Sequence, residues 1–165
     1  MRTVVGVMGS GSDRDAALLH TARDLGEAIA EAGWVLLNGG RATGVMHASA
    51  RGASEAGGLV VGILPDADGR DASPYLDVAI RTGMGDARNV VNVLSSDVVV
   101  ALSGGAGTLS EIALALNAGR TVIALGFDPG NGFSPWRESG LLKATTTVAE
   151  AIDAVRDVLE TRVRP

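Results

Sequence analysis

Cysteine is absent from this 165-residue chain, and lysine occurs once, at Lys143. Without cysteine, neither a disulfide scaffold nor a thiolate metal site is open to it. With a single lysine, an anion site must be built from arginine, backbone N–H groups or hydroxyls. The remaining 13 of the 14 basic residues are arginine; biased genomic composition explains that as readily as function does. No run of about 18 apolar residues occurs, so no transmembrane helix is expected. Val4–Met8 is too short for a signal-peptide core and runs straight into Gly-Ser-Gly. The default location is therefore the cytoplasm. The net charge is −5 and no Lys/Arg cluster appears, which argues against nucleic acid as the main partner.

What is present suits one domain spanning residues 1–165. Hydrophobic residues make up 46% of the chain, enough for a sizeable core. Five short apolar runs recur: Val4–Met8, Trp34–Leu37, Leu59–Leu64, Val98–Leu102 and Val122–Leu125. They are continuous rather than alternating, as strands buried on both faces are. Val78–Ile80 is a candidate for one more. Leu18, Ala22, Leu25 and Ile29 form a helical stripe between two of the runs, and Leu109, Ile112, Ala113 and Leu116 form another. Val148, Ile152, Val155 and Leu159 form the last, opened by the capping box Thr147–Glu150. Gly33 and Gly119 stand where helix C-terminal caps belong. Strand and helix alternate, which predicts an α/β fold: a doubly wound, three-layer, Rossmann-like parallel sheet.

In such a sheet, ligands bind beyond the carboxyl ends of the strands, and three of those ends are rich in glycine. Gly9-Ser10-Gly11-Ser12-Asp13 lacks the third glycine of a dinucleotide fingerprint. It is either a ligand loop, with Gly9 and Ser10 at the ligand, or a plain turn in which Ser12 or Asp13 starts the helix. In Asn38-Gly39-Gly40-Arg41-Ala42-Thr43-Gly44, Gly39 and Gly40 allow close approach of a ligand, Arg41 can reach an anion and Thr43 can cap the next helix; a structural turn is the alternative. The third segment, Ser103-Gly104-Gly105-Ala106-Gly107-Thr108-Leu109-Ser110-Glu111, points most clearly to phosphate. Gly104, Gly105 and Gly107 leave N–H groups free at a helix start, and Thr108 adds a hydroxyl. Glu111 either stabilises the first helical turn or faces the ligand. Arg88 is either a solvated surface residue or an anion clamp over this site.

Other residues invite chemistry less. His20 and His47 lie on separate helices and read as structural or surface residues. Asp66, Asp68 and Asp71 resemble part of a calcium loop, but no glutamate closes it, so no protein metal site is expected. Trp34 reads as core. Phe133 and Trp136 read as a hydrophobic plug under a loop, with a ligand cover as the alternative.

Several of these motifs occur together in register. Asn38-Gly-Gly-Arg-Ala-Thr-Gly44-Val-Met46, then Gly57-Gly58, Val61-Gly-Ile-Leu-Pro65, Arg88, Ser96-Asp97 and Gly104-Gly-x-Gly-Thr108-x-x-Glu111 resemble the Lonely Guy and molybdenum-cofactor carrier superfamily. The resemblance covers about Val4–Leu125. It implies two possible roles. In the Lonely Guy branch, the glycine-rich motif binds phosphate while Arg88 and Glu111 would be catalytic, cleaving the N-glycosidic bond of a cytokinin or purine nucleoside 5′-monophosphate. This chain departs from that branch: Ser103 stands where those enzymes have proline, and Asn89 where they have lysine. Arg88-Asn89-Val-Val-Asn92 with Ser110–Asn117 looks more like the carrier branch, associated with binding molybdenum cofactor, a pterin bearing a phosphate. The expectation is therefore a binding or carrier protein whose ligand is molybdenum cofactor or a nucleoside monophosphate, with no cofactor required by the protein itself. The resemblance and the small residues Ala48, Gly52, Ala53 and Ala56 also lead to the expectation of a homo-oligomer, a dimer or tetramer.

Overall fold

The five apolar runs become strands in a computed structural model of the chain, which describes residues 1–12 and 14–163. They are β1 (Val4–Met8), β2 (Val35–Asn38), β3 (Val60–Leu64), β5 (Val98–Ala101) and β6 (Val122–Leu125). Val78–Arg81 is β4, and Leu142–Thr145 is β7. The helices are α1 (Ala16–Glu31), α2 (Gly44–Glu55), α3 (Arg88–Leu94), α4 (Ala106–Asn117), α5 (Ser134–Glu138) and α6 (Val148–Val163). Every strand pairing is parallel, in the order β4-β3-β2-β1-β5-β6-β7. The chain winds outward from β1 in one direction and from β5 in the other. The crevice between their carboxyl ends is the switch point where such folds bind ligands.

The continuous apolar strands follow from burial on both faces. Val98 and Val100 of β5 turn to one core with Leu25 and Ile29 of α1, Val45 of α2 and Val155 of α6. Val99 and Ala101 turn to the other, with Val93 of α3 and Ile112 of α4. Three layers result, each apolar side chain on the shared faces contributing about 1.5–3 kcal/mol on burial. β7 was not anticipated because it is an edge strand: only Leu142 of its four residues is fully buried, so no apolar run marks it. Trp34 lies just outside β2 and is only partly buried, packed against the first core rather than within it. Among the described residues no helix is long and apolar enough to cross a membrane.

Local signals end several helices as expected. Gly33 and Gly119 have φ of 77° and 70°, the left-handed conformation of a C-terminal cap. Glu150 accepts from the Thr147 N–H while Thr147 Oγ1 accepts from the Glu150 N–H, closing the capping box of α6. The start of α1 differs from expectation. Asp15 is its cap, accepting from the Ala17 N–H at 2.9 Å; Ser12 lies short of the helix, and Asp13 is outside the described residues. Small residues on α2 have an internal use as well. A Cβ on Gly52 would sit 1.9 Å from the Arg23 carbonyl of α1, and one on Gly26 would sit 2.0 Å from the Ser49 carbonyl of α2. Close backbone approach within the chain therefore explains Gly52, and Ala53 is buried in the core. These two residues no longer argue for a contact between subunits.

Candidate functional site

The carboxyl ends of β1, β2 and β5 open into one cleft of about 380 Å³, within the range of small-molecule sites. Its floor is the loop after β1. The Ser10 N–H donates to the Ser103 carbonyl at 3.1 Å, and the Ser10 carbonyl accepts from the Val45 N–H at 2.9 Å. These bonds tie the β1 loop to the β5 loop on one side and to α2 on the other.

The wall formed by α4 is built to leave backbone donors unused by the chain. Asp15 caps α1 and a capping box closes α6, but no side chain caps α4 at Gly105. Among the described residues, no side chain accepts from the first-turn N–H groups, which lie with the positive end of the helix dipole at the cleft. Gly105 and Gly107 line this wall. Neither has a positive φ, and a Cβ on either would meet nothing within 4 Å. The fold does not need glycine at these two positions; what their missing side chains leave is room at the helix end. Thr108, 4% exposed, completes the turn.

One turn further along α4, and on α3 beside it, the cleft carries charge. Arg88 and Glu111 face each other, Nη1 to Oε1 at 3.6 Å, with side chains only 11% and 8% exposed. Arg88 Nη1 also donates to Asn89 Oδ1 at 2.8 Å, and Asn92 Nδ2 donates to Glu111 Oε1 at 3.0 Å. Burial pushes the Glu111 carboxyl above its ordinary range, against the Asn92 hydrogen bond and the Arg88 charge, which pull it down. Burial likewise lowers Arg88 from the usual arginine value, with Glu111 drawing it back up. Gly39 makes room for this guanidinium: a Cβ there would lie 2.6 Å from Arg88 Nη2. Arg41 reaches the cleft from the β2 loop, its Nη2 donating to Asp66 at 3.2 Å.

The model of the SLOG cluster4 family matches residues 2–159. The chain belongs to that family. A solved molybdenum cofactor binding protein from the phototrophic bacterium Rippkaea orientalis is 41% identical with a TM-score of 0.90, the match covering 96% of this chain and 98% of that one. The molybdenum cofactor carrier protein of Chlamydomonas reinhardtii is 43% identical with a TM-score of 0.90, covering 97% and 99%. A cytokinin riboside 5′-monophosphate phosphoribohydrolase of Mycobacterium tuberculosis is 32% identical over 114 residues, which span 66% of this chain and 59% of that one.

In this SLOG cluster4 chain, every candidate ligand residue of the sequence except Gly40 and Gly104 lines the one cleft. Those two glycines serve packing. Gly40, at φ 76°, lies against Leu64, where a Cβ would come within 2.9 Å. A Cβ on Gly104 would strike Thr108 Oγ1 at 2.2 Å and the Ser10 nitrogen at 2.8 Å. Gly9, though in the lining, is needed by the fold as well, since its Cβ would meet Val45 at 2.8 Å. Thr43 stands at the start of α2 and lines the cleft but makes no side-chain cap. Sequence reasoning gave no role to Asn92, the fully buried partner of Glu111. Its spacing of four from Arg88 puts both on one face of α3, and that was the available signal. Met46, Pro65 and Asp86 also line the cleft.

The remaining candidates lie elsewhere. His20 is within 3.2 Å of Asp24, and His47 lies beside Ser73 Oγ at 3.2 Å and packs on Tyr75. Phe133 and Trp136, ring centroids 6.1 Å apart, pack on the second core and do not line the cleft. Asp66 and Asp68 are paired with Arg41 and Arg70. Among the described residues no three metal-ligating side chains converge.

Proposed function

We propose that this chain binds and carries molybdenum cofactor, holding the phosphate of the pterin on the amino end of α4. The observation that carries the reading is the uncapped helix end with Gly105 and Gly107, two glycines that neither backbone angle nor packing requires. A phosphate there takes up the free N–H groups and meets the helix dipole. Arg88, held by Glu111 and Asn89, supplies the fixed cationic side chain beside it. The chain has no cysteine, so it offers the metal no thiolate, and the cofactor would be held through its phosphate and pterin. The likeness to a carrier and a binding protein of this cofactor along nearly the whole chain supports the same reading.

Hydrolysis of a nucleoside monophosphate is the second reading, favoured by Glu111 in the cleft wall and by the phosphoribohydrolase relative. A carboxylate there could stabilise an oxocarbenium-like transition state while it positions water. Against it, Glu111 is buried and already engaged by Asn92 and Arg88, which suits a residue that fixes Arg88 better than one that activates water. The dimer or tetramer belongs to the proposal too; the exposed Val90 and Leu94 of α3 and Leu109 of α4 offer it apolar surface. Incubation with adenosine 5′-monophosphate and with cytokinin monophosphates, followed by chromatography of the free base, separates the two readings. Release at no more than the uncatalysed rate is expected. Turnover that Glu111→Gln eliminates while phosphate affinity is kept would establish the hydrolase instead.

A further inference from the structure

Three buried side-chain polar atoms lack a hydrogen-bond partner among the described residues: Nε of Arg41, Nε of Arg88 and Oδ1 of Asn92. Two belong to side chains of the cleft wall, and the third to the residue that holds Glu111. Native chains rarely leave such groups unmatched without a reason. Arg88 is accounted for by its place beside the α4 helix end. Arg41 is not: it enters the cleft from the β2 loop and pairs with Asp66 rather than with α4, whereas Arg88 spans from Glu111 of α4 to Gly39 of that loop. The sheet order puts β1 between β2 and β5, so the β2 loop and the β5 loop stand two strand spacings apart, about 10 Å.

Arg41 is also held in place. Its backbone forms an isolated antiparallel bridge with Ala72. The neighbouring Ala42 N–H donates to the Asp71 carbonyl at 2.8 Å, and the Gly40 carbonyl accepts from the Ser73 N–H at 2.8 Å. These two hydrogen bonds make up the bridge and pin the β2 loop to the segment around residues 71–73, although neither lies within a strand at this point. Asp66 takes only Nη2 of the guanidinium, and both side chains of that pair are about two-fifths exposed, at 42% and 41%. An exposed pair of this kind binds weakly. It aims the guanidinium and leaves the exposed terminal N–H groups for another acceptor, while Nε stays buried. A surface arginine paired with an aspartate for its own sake needs neither the pinned backbone nor a place in the cleft lining.

We propose that the cleft takes a ligand with two anionic groups, a phosphate on the amino end of α4 and a second anion at the Arg41 guanidinium. The inference rests on the reading of Gly105–Thr108 as the phosphate cradle and adds to it the class of molecule that fits. A ligand with a single phosphate fills half of the site; one that spans β1 engages both loops.

Straight-chain diol bisphosphates of graded length, compared with the matching monophosphate, measure the span directly by titration calorimetry. Wild type should bind the bisphosphate whose phosphates reach about 10 Å apart at least tenfold more tightly than the monophosphate, with no gain for the shortest spacers. Arg41→Met should remove that gain and leave monophosphate affinity within twofold, while Arg41→Lys should keep part of it. Gly105→Asp should weaken both probes together. Monophosphate binding with no gain at any spacer length, or a gain that survives Arg41→Met, overturns the second subsite and leaves the cradle standing. Failure of the monophosphate itself to bind overturns the cradle and this proposal with it.

Discussion

Gly105→Asp is expected to leave the protein at least as stable as wild type and to weaken phosphate binding by about a hundredfold or more. The two effects have one cause. Gly105 is the N-cap of α4, with φ −86° and ψ −157°, angles open to any residue, and a Cβ there touches nothing. Aspartate at an N-cap accepts from the first-turn N–H groups and is preferred to glycine by a few tenths of a kcal/mol. In a chain of this size that is a rise of about a degree or so in melting temperature. The same carboxylate occupies the donors proposed for the ligand. Two like charges about 4 Å apart repel by about 4 kcal/mol at a surface dielectric, and even half of that is more than tenfold in affinity. Thermal unfolding and phosphate titration on the one variant test both halves. Gly105→Ala is the control, adding bulk without charge. Undiminished phosphate binding by Gly105→Asp would remove the helix end from the account.

Arg88→Met is expected to weaken phosphate binding by about ten- to a hundredfold, the worth of a charge-assisted contact, and to destabilise the chain in a pH-dependent way. Glu111 keeps its burial and its Asn92 hydrogen bond but loses the charge opposite it. Its carboxyl, already raised by burial, rises further. A carboxyl raised in the native state favours the protonated form there, so the native chain binds more protons than the unfolded one in the window between the two values. Stability is then greatest below the ordinary glutamate value of about 4.3 and falls as pH rises towards the native value. Wild type should show a shallow decline and Arg88→Met a longer one, reaching about 2–4 kcal/mol at neutral pH for a buried charge left alone. Adding Glu111→Gln to Arg88→Met should restore most of the loss, because the buried charge is gone. Urea unfolding from pH 4 to pH 8 reads all three. A Glu111→Gln partner that restores nothing would mean that Arg88 acts on stability through packing alone.

How far the sequence reaches can be seen from particular elements. β1 and β6 match the apolar runs residue for residue, because a strand covered on both faces writes its whole length in apolar residues. β7 is invisible for the opposite reason, having a covered side only at Leu142. In α4 the expected stripe through Leu109, Ile112, Ala113 and Leu116 is turned by about one residue. The buried positions are Thr108, Glu111, Ile112, Ala115 and Leu116, while Leu109 and Ala113 are exposed. An apolar count cannot find a helix face that carries a threonine and a glutamate into a ligand cleft. The glycine-rich loops were legible as a group, but their separate duties were not. Gly104 and Gly40 are required by contacts with Thr108 and Leu64, residues brought near by the fold, whereas Gly105 and Gly107 are required by no contact at all. Asn92, though part of the motif that resembles the carrier branch, has no role legible in the sequence, because a buried asparagine on a short helix has no pattern of its own until its partner Glu111 is in place.

Whether the α4 end holds the phosphate of a pterin cofactor is decided by native mass spectrometry of the chain purified from cells that make molybdenum cofactor. The proposed carrier role predicts a noncovalent adduct with the mass of a phosphorylated pterin, released on unfolding and absent from Gly105→Asp. A chain that carries no pterin from such cells and takes none up when supplied with it, yet holds a nucleoside monophosphate or a ribose phosphate in the same place, would contradict it.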